Sequence, residues 1–155
     1  MGSVEKIYDG LKTAFVDETW NSNLAYRPEF VSNDYRNGKK VITTIEDELR
    51  DCDAFCMSVA FITMGGITPL LQTFLELQKK NVPGKILTTD YQMFTQPAAL
   101  DKLHELKNIS LRMYETRYNG EGFHTKGYIF KKGQIYQIVT GSSNLTQSAL
   151  TSNLE

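Results

Sequence analysis

The spacing of apolar residues predicts the elements before anything else is considered. Val4, Ile7, Leu11, Ala14 and Phe15 recur at helical intervals, so 3–16 reads as an amphipathic helix. The stretch 17–37 is polar and irregular, with Trp20, Tyr26 and Tyr35 as anchors. Helical spacing returns over 39–52, where Val41, Ile45 and Leu49 fall on one stripe. The rhythm then changes. Residues 54–62 (AFCMSVAFI) form a short apolar run suited to a buried strand, and Gly65-Gly66 reads as its break. Thr68 followed by Pro69 predicts a helix start running to about 80. A second strand is predicted at 82–89, a helix opened by Pro97 ending near 108, and a third strand at 109–115. Two more strands, 123–130 and 134–140, are joined by a Lys131-Lys132-Gly133 turn. A short helix follows Gly141-Ser142-Ser143-Asn144, with serine and asparagine as cap residues. Strands alternating with helices and closing on a hairpin imply an α/β sandwich with a mixed central β-sheet flanked by helices.

Composition narrows the class. The 155 residues suffice for one ordinary domain, and 41% hydrophobic with 23% charged residues are globular values. There is no apolar run of the ~18–20 residues that a membrane span needs and no apolar signal core at the N-terminus, so the expected compartment is cytoplasmic, with no membrane partner. Two cysteines make no disulfide framework; Cys52 and Cys56 read as ordinary half-buried thiols. Net charge is −1, which gives no global case for nucleic acid. The distribution adds a little: residues 1–60 carry seven Lys/Arg against eleven Asp/Glu, and residues 61–155 carry ten against seven. Within 117–140, Arg117, Lys126, Lys131 and Lys132 face only Glu121, a modest local basic patch or an ordinary solvated surface.

The chain lacks a GxxxxGK[ST] phosphate loop, GxGxxG, HExxH and GxSxG, and no Cys/His cluster has metal-ligand spacing. No cofactor or metal is therefore expected. Of the two histidines, His104 lies in a helical pattern and reads as a surface residue. His124 starts a predicted strand as His124-Thr125-Lys126, and residues two apart on a strand share a face. One strand later, the glycine turn at Gly141-Ser142-Ser143-Asn144 supplies backbone amides, hydroxyls and a carboxamide at a helix start. Across a hairpin these groups can meet His124 and Lys126, putting a nucleophile or acid–base group, a cation and hydrogen-bond donors around one anionic centre.

This constellation resembles the phospholipase D superfamily, whose signature is HxK, four residues, D, a gap and GSxN. His124, Lys126, Gly141, Ser142 and Asn144 match it. Glu155, eleven residues past Asn144, resembles the acidic residue that orients the histidine in the superfamily's small nuclease branch. Lys131 stands where the motif has Asp, a structural position in the superfamily, and the interval to Gly141 is a few residues longer than usual. The segments MSVAFITMGGI, KILTTDYQMFTQPAAL and FHTKGYIF…GSSNLTQSAL together are similar to the phospholipase D-like domain at the N-terminus of bacterial superfamily 2 (DEAD/DEAH-box) helicases. The expected organisation is an N-terminal extension over 1–38 and a phospholipase D-like domain over 39–155, cut from a longer chain that carries the helicase ATPase domain.

The resemblance implies metal-independent phosphodiester hydrolysis. The chemistry needs two histidines and the chain offers one motif, so a homodimer is expected, with His124 as nucleophile in one subunit and general acid in the other. Lys126, Ser142 and Asn144 would stabilise the transferring group, and Glu155 would orient His124. Substrate contacts are expected from Gly141, Ser143, Arg117 and Lys131, with DNA as the partner. Tyr118 and Phe123 read as core aromatics, with base stacking as the alternative. Rival readings are a catalytically silent DNA-binding or dimerisation module of a helicase, and an enzyme acting on lipid headgroups.

Overall fold

A computed structural model describes residues 2–11, 28–34 and 36–153. The chain divides into two units, residues 1–31 and 32–155. The first contains α1 (Ser3–Leu11), whose apolar stripe Val4, Ile7 and Leu11 is exposed. Ala14, Phe15, Trp20, Tyr26 and Tyr35 lie outside the described residues.

The second unit holds the α/β body. Helix α2 (Val41–Asp51) buries Val41, Ile42, Ile45 and Leu49, the predicted stripe widened by one residue. Its first N–H groups need partners. Asn33 supplies one: its Oδ1 accepts the Val41 N–H at 2.9 Å. The Nδ2 of the same side chain donates to the carbonyls of Ala149 and Asn153 at 2.9 and 2.8 Å. One buried amide thus ties the start of α2 to the end of α7 (Gln147–Thr151).

Five strands form one mixed sheet: β1 (Ala54–Val59), β2 (Gly84–Thr89), β3 (Ile109–Tyr114), β4 (Lys126–Lys132) and β5 (Ile135–Thr140), in the order β3-β2-β1-β4-β5. β1 pairs parallel with β2, and β2 with β3. β4 runs antiparallel to both β1 and β5. Between the parallel strands lie α3 (Met64–Ile67), a 3-10 turn (Thr68–Leu70), α4 (Leu71–Lys79) and α5 (Pro97–His104). A four-residue helix, α6 (Thr116–Asn119), follows β3. Alternate residues Phe55, Met57, Val59, Ile86, Tyr128 and Phe130 bury one face of the sheet. The core they join includes Ile45, Leu49, Phe74, Leu77, Leu103 and Leu150 from the helices. The opposite face presents Cys56, Lys85, Leu87, Arg112 and Ile129, all exposed. The expected mixed α/β architecture is the observed one.

Several boundaries differ from the sequence reading. β1 stops at Val59, and Ala60, Phe61 and Ile62 leave the sheet, with Ile62 bridging Leu145. Gly65 and Gly66 do not break the chain. They lie inside α3, which Thr63 caps by accepting the Gly66 N–H at 3.2 Å. The helical run thus starts four residues before Thr68. The hairpin turn is Gly133-Gln134, with Gly133 at φ +56°, a conformation that suits glycine.

The two thiols are not alike. Cys56 is exposed on the open sheet face. Cys52 is buried, its thiol donates to the Leu49 carbonyl at 3.3 Å, and burial pushes it up to about 11. Iodoacetamide should therefore modify Cys56 in the folded chain and reach Cys52 only after denaturation. Equal labelling of both would show that the end of α2 opens in the native state. Because the folded thiol binds its proton more tightly than the ordinary 9.0, its contribution to stability is intact below pH 9 and is lost as the pH rises toward 11.

Candidate functional site

The strand register alone builds the site. β1 is the central strand, and the last rung of its ladder with β4 pairs Val59 with Lys126. One residue on, Gly127 pairs with Thr140, the last residue of β5. The start of β4 and the end of β5 therefore meet at the C-terminal end of β1. His124 lies two residues before this junction and Gly141 one residue after it. The Gly141 N–H donates to the Lys126 carbonyl at 3.4 Å, and the Thr140 hydroxyl donates to the same carbonyl at 3.3 Å.

His124 is not on the strand, contrary to the expectation of a strand over 123–130. β4 begins only at Lys126, because its partner β1 has ended at Val59. The imidazole is exposed and sits edge-on to two rings, Phe61 at 5.7 Å and Tyr91 at 6.4 Å between centroids. Lys126 is buried, 6% exposed, and its Nζ donates to the carbonyl of His124 at 2.8 Å. The ammonium thus fixes the backbone that carries the imidazole.

Asn144 joins the same neighbourhood through Phe61. Its Oδ1 accepts the Phe61 N–H at 3.1 Å, so the remaining function of the carboxamide is its NH2 donor pair. Phe61 is therefore the common neighbour: its N–H holds Asn144 and its ring abuts His124. The adjoining loop is stitched in place by Leu145, which donates to the Phe61 carbonyl and accepts from Thr63, both at 3.1 Å. Below it, the buried Thr95 hydroxyl lies 3.2 Å from the Ala60 carbonyl and 3.1 Å from that of Thr89.

The remaining predicted residues divide. Gly141 and Ser142 are exposed at the turn. Ser143 is buried, and its carbonyl accepts the Tyr128 hydroxyl at 2.8 Å, so it faces the core side of the loop and not the solvent. Lys131 is not brought to the site: it pairs with Ala54, at the opposite end of β1. Lys132 is at that far end too, in an ion pair with Asp51, so the basic patch read from 117–140 is not one patch. Glu155 lies outside the described residues. Arg117 flanks the site. It shares a shallow cleft with Tyr91, Thr116 and Gly122, pairs with Glu115 at 3.1 Å and lies 4.5 Å over the Tyr118 ring. Its helix is held by Asp90, whose Oδ1 accepts the Thr116 N–H at 2.8 Å. That bond keeps the Asp90 carboxyl below the usual carboxylate range, with Arg117 as a lesser cause.

Sequence reasoning missed Phe61, Tyr91 and Thr95. Phe61 closes an apolar run that reads as buried strand, and nothing local marks it as a wall of the site. Among the described residues, no three His, Cys, Asp or Glu side chains gather as a metal-binding group, and no helix is long and apolar enough to cross a membrane.

Residues 55–155, more than half of the chain, match the family model described as the phospholipase D-like domain of cardiolipin synthase. No curated protein matches the chain. The chain belongs to the phospholipase D-like family, and at the level of that family the chemistry is phosphodiester hydrolysis or transfer.

Proposed function

We propose that this member of the phospholipase D-like family is a nuclease, hydrolysing phosphodiester bonds of DNA through a covalent intermediate on His124, in a site shared by two copies of the chain. The observation that carries the reading is the register: Val59 opposite Lys126 and Gly127 opposite Thr140 bring the His-x-Lys and Gly-Ser-x-Asn segments to one end of the sheet.

The imidazole nitrogen of His124 attacks phosphorus, forming an N–P bond as the P–O bond to the leaving strand breaks. The leaving oxygen takes a proton from the second copy's imidazole. That imidazole, now a base, takes a proton from water, whose oxygen attacks phosphorus and releases His124. The Asn144 NH2 and the positive charge of Lys126 stabilise the charge that grows on the non-bridging oxygens. Ser142 adds a hydrogen bond, and Glu155 orients the ring. One chain supplies one imidazole, so the mechanism calls for a two-fold dimer with its axis near His124. The likeness of the segments within 57–150 to the N-terminal domain of superfamily 2 helicases supports DNA as the substrate and a helicase motor as the working partner in the cytoplasm.

The test is turnover of a labelled DNA strand, and of bis(p-nitrophenyl) phosphate, with EDTA present throughout. Hydrolysis should persist, because histidine supplies the nucleophile that metal-bound hydroxide supplies elsewhere. A requirement for added magnesium would overturn the mechanism. DNA bound but never cut would leave the silent binding module in its place.

A further inference from the structure

We propose that the rim of this site is a base-stacking platform, and that the substrate is specifically single-stranded nucleic acid; the proposal rests on the nuclease reading above and names its substrate class. The imidazole of His124 stands between two aromatic neighbours, and each leads outward to a ring that faces solvent. Phe61 carries Phe94 edge-on at 5.1 Å, and Phe94 is 59% exposed. Tyr91 shares its cleft with Arg117, whose guanidinium lies over Tyr118, a ring 73% exposed. Tyr118, read from sequence as a core aromatic, is among the most exposed large side chains described. Phe123 does fit the packing reading, edge-on to Tyr114 at 5.8 Å.

The backbone pays for this display. Gln92 and Met93 are consecutive non-glycine residues in the left-handed region, at φ 55° and 56°. Such strain persists only where the surroundings impose it, and it gathers at functional sites. Here it leaves Met93 and Phe94 exposed, with Phe94 one ring removed from the imidazole through Phe61. The turn and the helix bearing Tyr118 are also joined. The Asp90 carbonyl accepts the Met93 N–H at 2.9 Å, while its carboxylate accepts the Thr116 N–H at 2.8 Å. Asp90 therefore sets both arms of the platform relative to each other.

Exposed rings flanking a phosphodiester centre suit a ligand that offers a π-face on each side of a phosphate. An unpaired strand does so, whatever its sequence, and Arg117 adds a cation for its backbone. A duplex keeps its base faces stacked inside. A bilayer offers no ring faces for Phe94 and Tyr118 to stack on.

Binding of the full chain to fluorescein-labelled oligothymidine, to a duplex of the same length and to phosphatidylglycerol-containing vesicles, all at one fixed salt concentration, tests this. Oligothymidine should bind about tenfold or more tightly than duplex, and Phe94→Ala and Tyr118→Ala should each weaken that binding by roughly five- to hundred-fold. Phe94→Trp should restore it, showing that the loss is not one of folding. Equal affinity for duplex, indifference to both alanine variants, or vesicle binding that oligothymidine does not displace would each overturn the platform. The outcomes separate the two readings. EDTA-resistant cleavage with indifferent aromatics would refute the platform and keep the nuclease; aromatic-dependent binding without cleavage would do the reverse.

Discussion

His124→Ala should reduce phosphodiester hydrolysis by on the order of 10³-fold or more, the scale on which loss of a covalent nucleophile is felt. On the proposed mechanism the effect is large because one substitution removes two groups. In a two-fold site, the same residue is nucleophile from one copy and proton donor from the other. The imidazole is exposed, touching Phe61 and Tyr91 only edge-on, so the variant should melt with the wild type and the loss would be one of chemistry. Mixing subunits makes the test sharper. If the site is shared, a heterodimer has one imidazole and is inactive, so an equal mixture retains about a quarter of the wild-type rate. Independent sites would retain about half. A monomer with full activity, or His124→Ala at the wild-type rate, would refute the shared-histidine mechanism outright.

Much of the scaffold for this chemistry is legible in the sequence, and the reasons for the exceptions are physical. The order of strands and helices follows from period-2 and period-3.6 spacing, and both motifs fall where the hairpin delivers them. The boundary of β1 was not legible, because an apolar run such as Ala60-Phe61-Ile62 reads the same whether it is buried in a ladder or packed beneath a loop. Only the tertiary partner, Leu145, decides it. Lys131 shows a second limit. A motif count places it five residues after Lys126, but a strand carries residues away at about 3.3 Å each, so it arrives at the wrong end of the sheet. Aromatic exposure is a third. Phe94 and Tyr118 look like core residues by type, and what puts them outside is a strained turn and a four-residue helix that no periodicity announces.

Gly65-Gly66 is the most instructive misreading, and it yields the second large effect. Two glycines after an apolar run suggest a break, yet both sit in helix α3. The reason at Gly66 is space. A Cβ there would lie 2.0 Å from the Leu145 carbonyl oxygen, 2.3 Å from its carbon and 2.7 Å from the Thr146 nitrogen. All three are backbone atoms, so no rotamer change relieves the contact. Nor can the loop retreat cheaply, since Leu145 is fully buried and its N–H and carbonyl are bonded to Phe61 and Thr63. Gly66→Ala should therefore cost about 2–4 kcal/mol, an overpacking strain together with at least one broken backbone bond. For a domain of this size, that lowers Tm by roughly 5–15 °C. Gly127→Ala is the matched control: its Cβ would meet nothing within 4 Å, and its Tm should stay close to that of the wild type. The consequence for function separates Gly66→Ala from an ordinary core defect. Asn144 precedes the displaced Leu145 and depends on the Phe61 N–H for its orientation, so the shift that relieves Leu145 disturbs the bond between the carboxamide and Phe61, whose ring abuts His124. Activity should fall further than the folded fraction does, even well below Tm where the variant is wholly native. Retention of full activity per folded molecule would mean that Asn144 does not act on the transferring phosphoryl group.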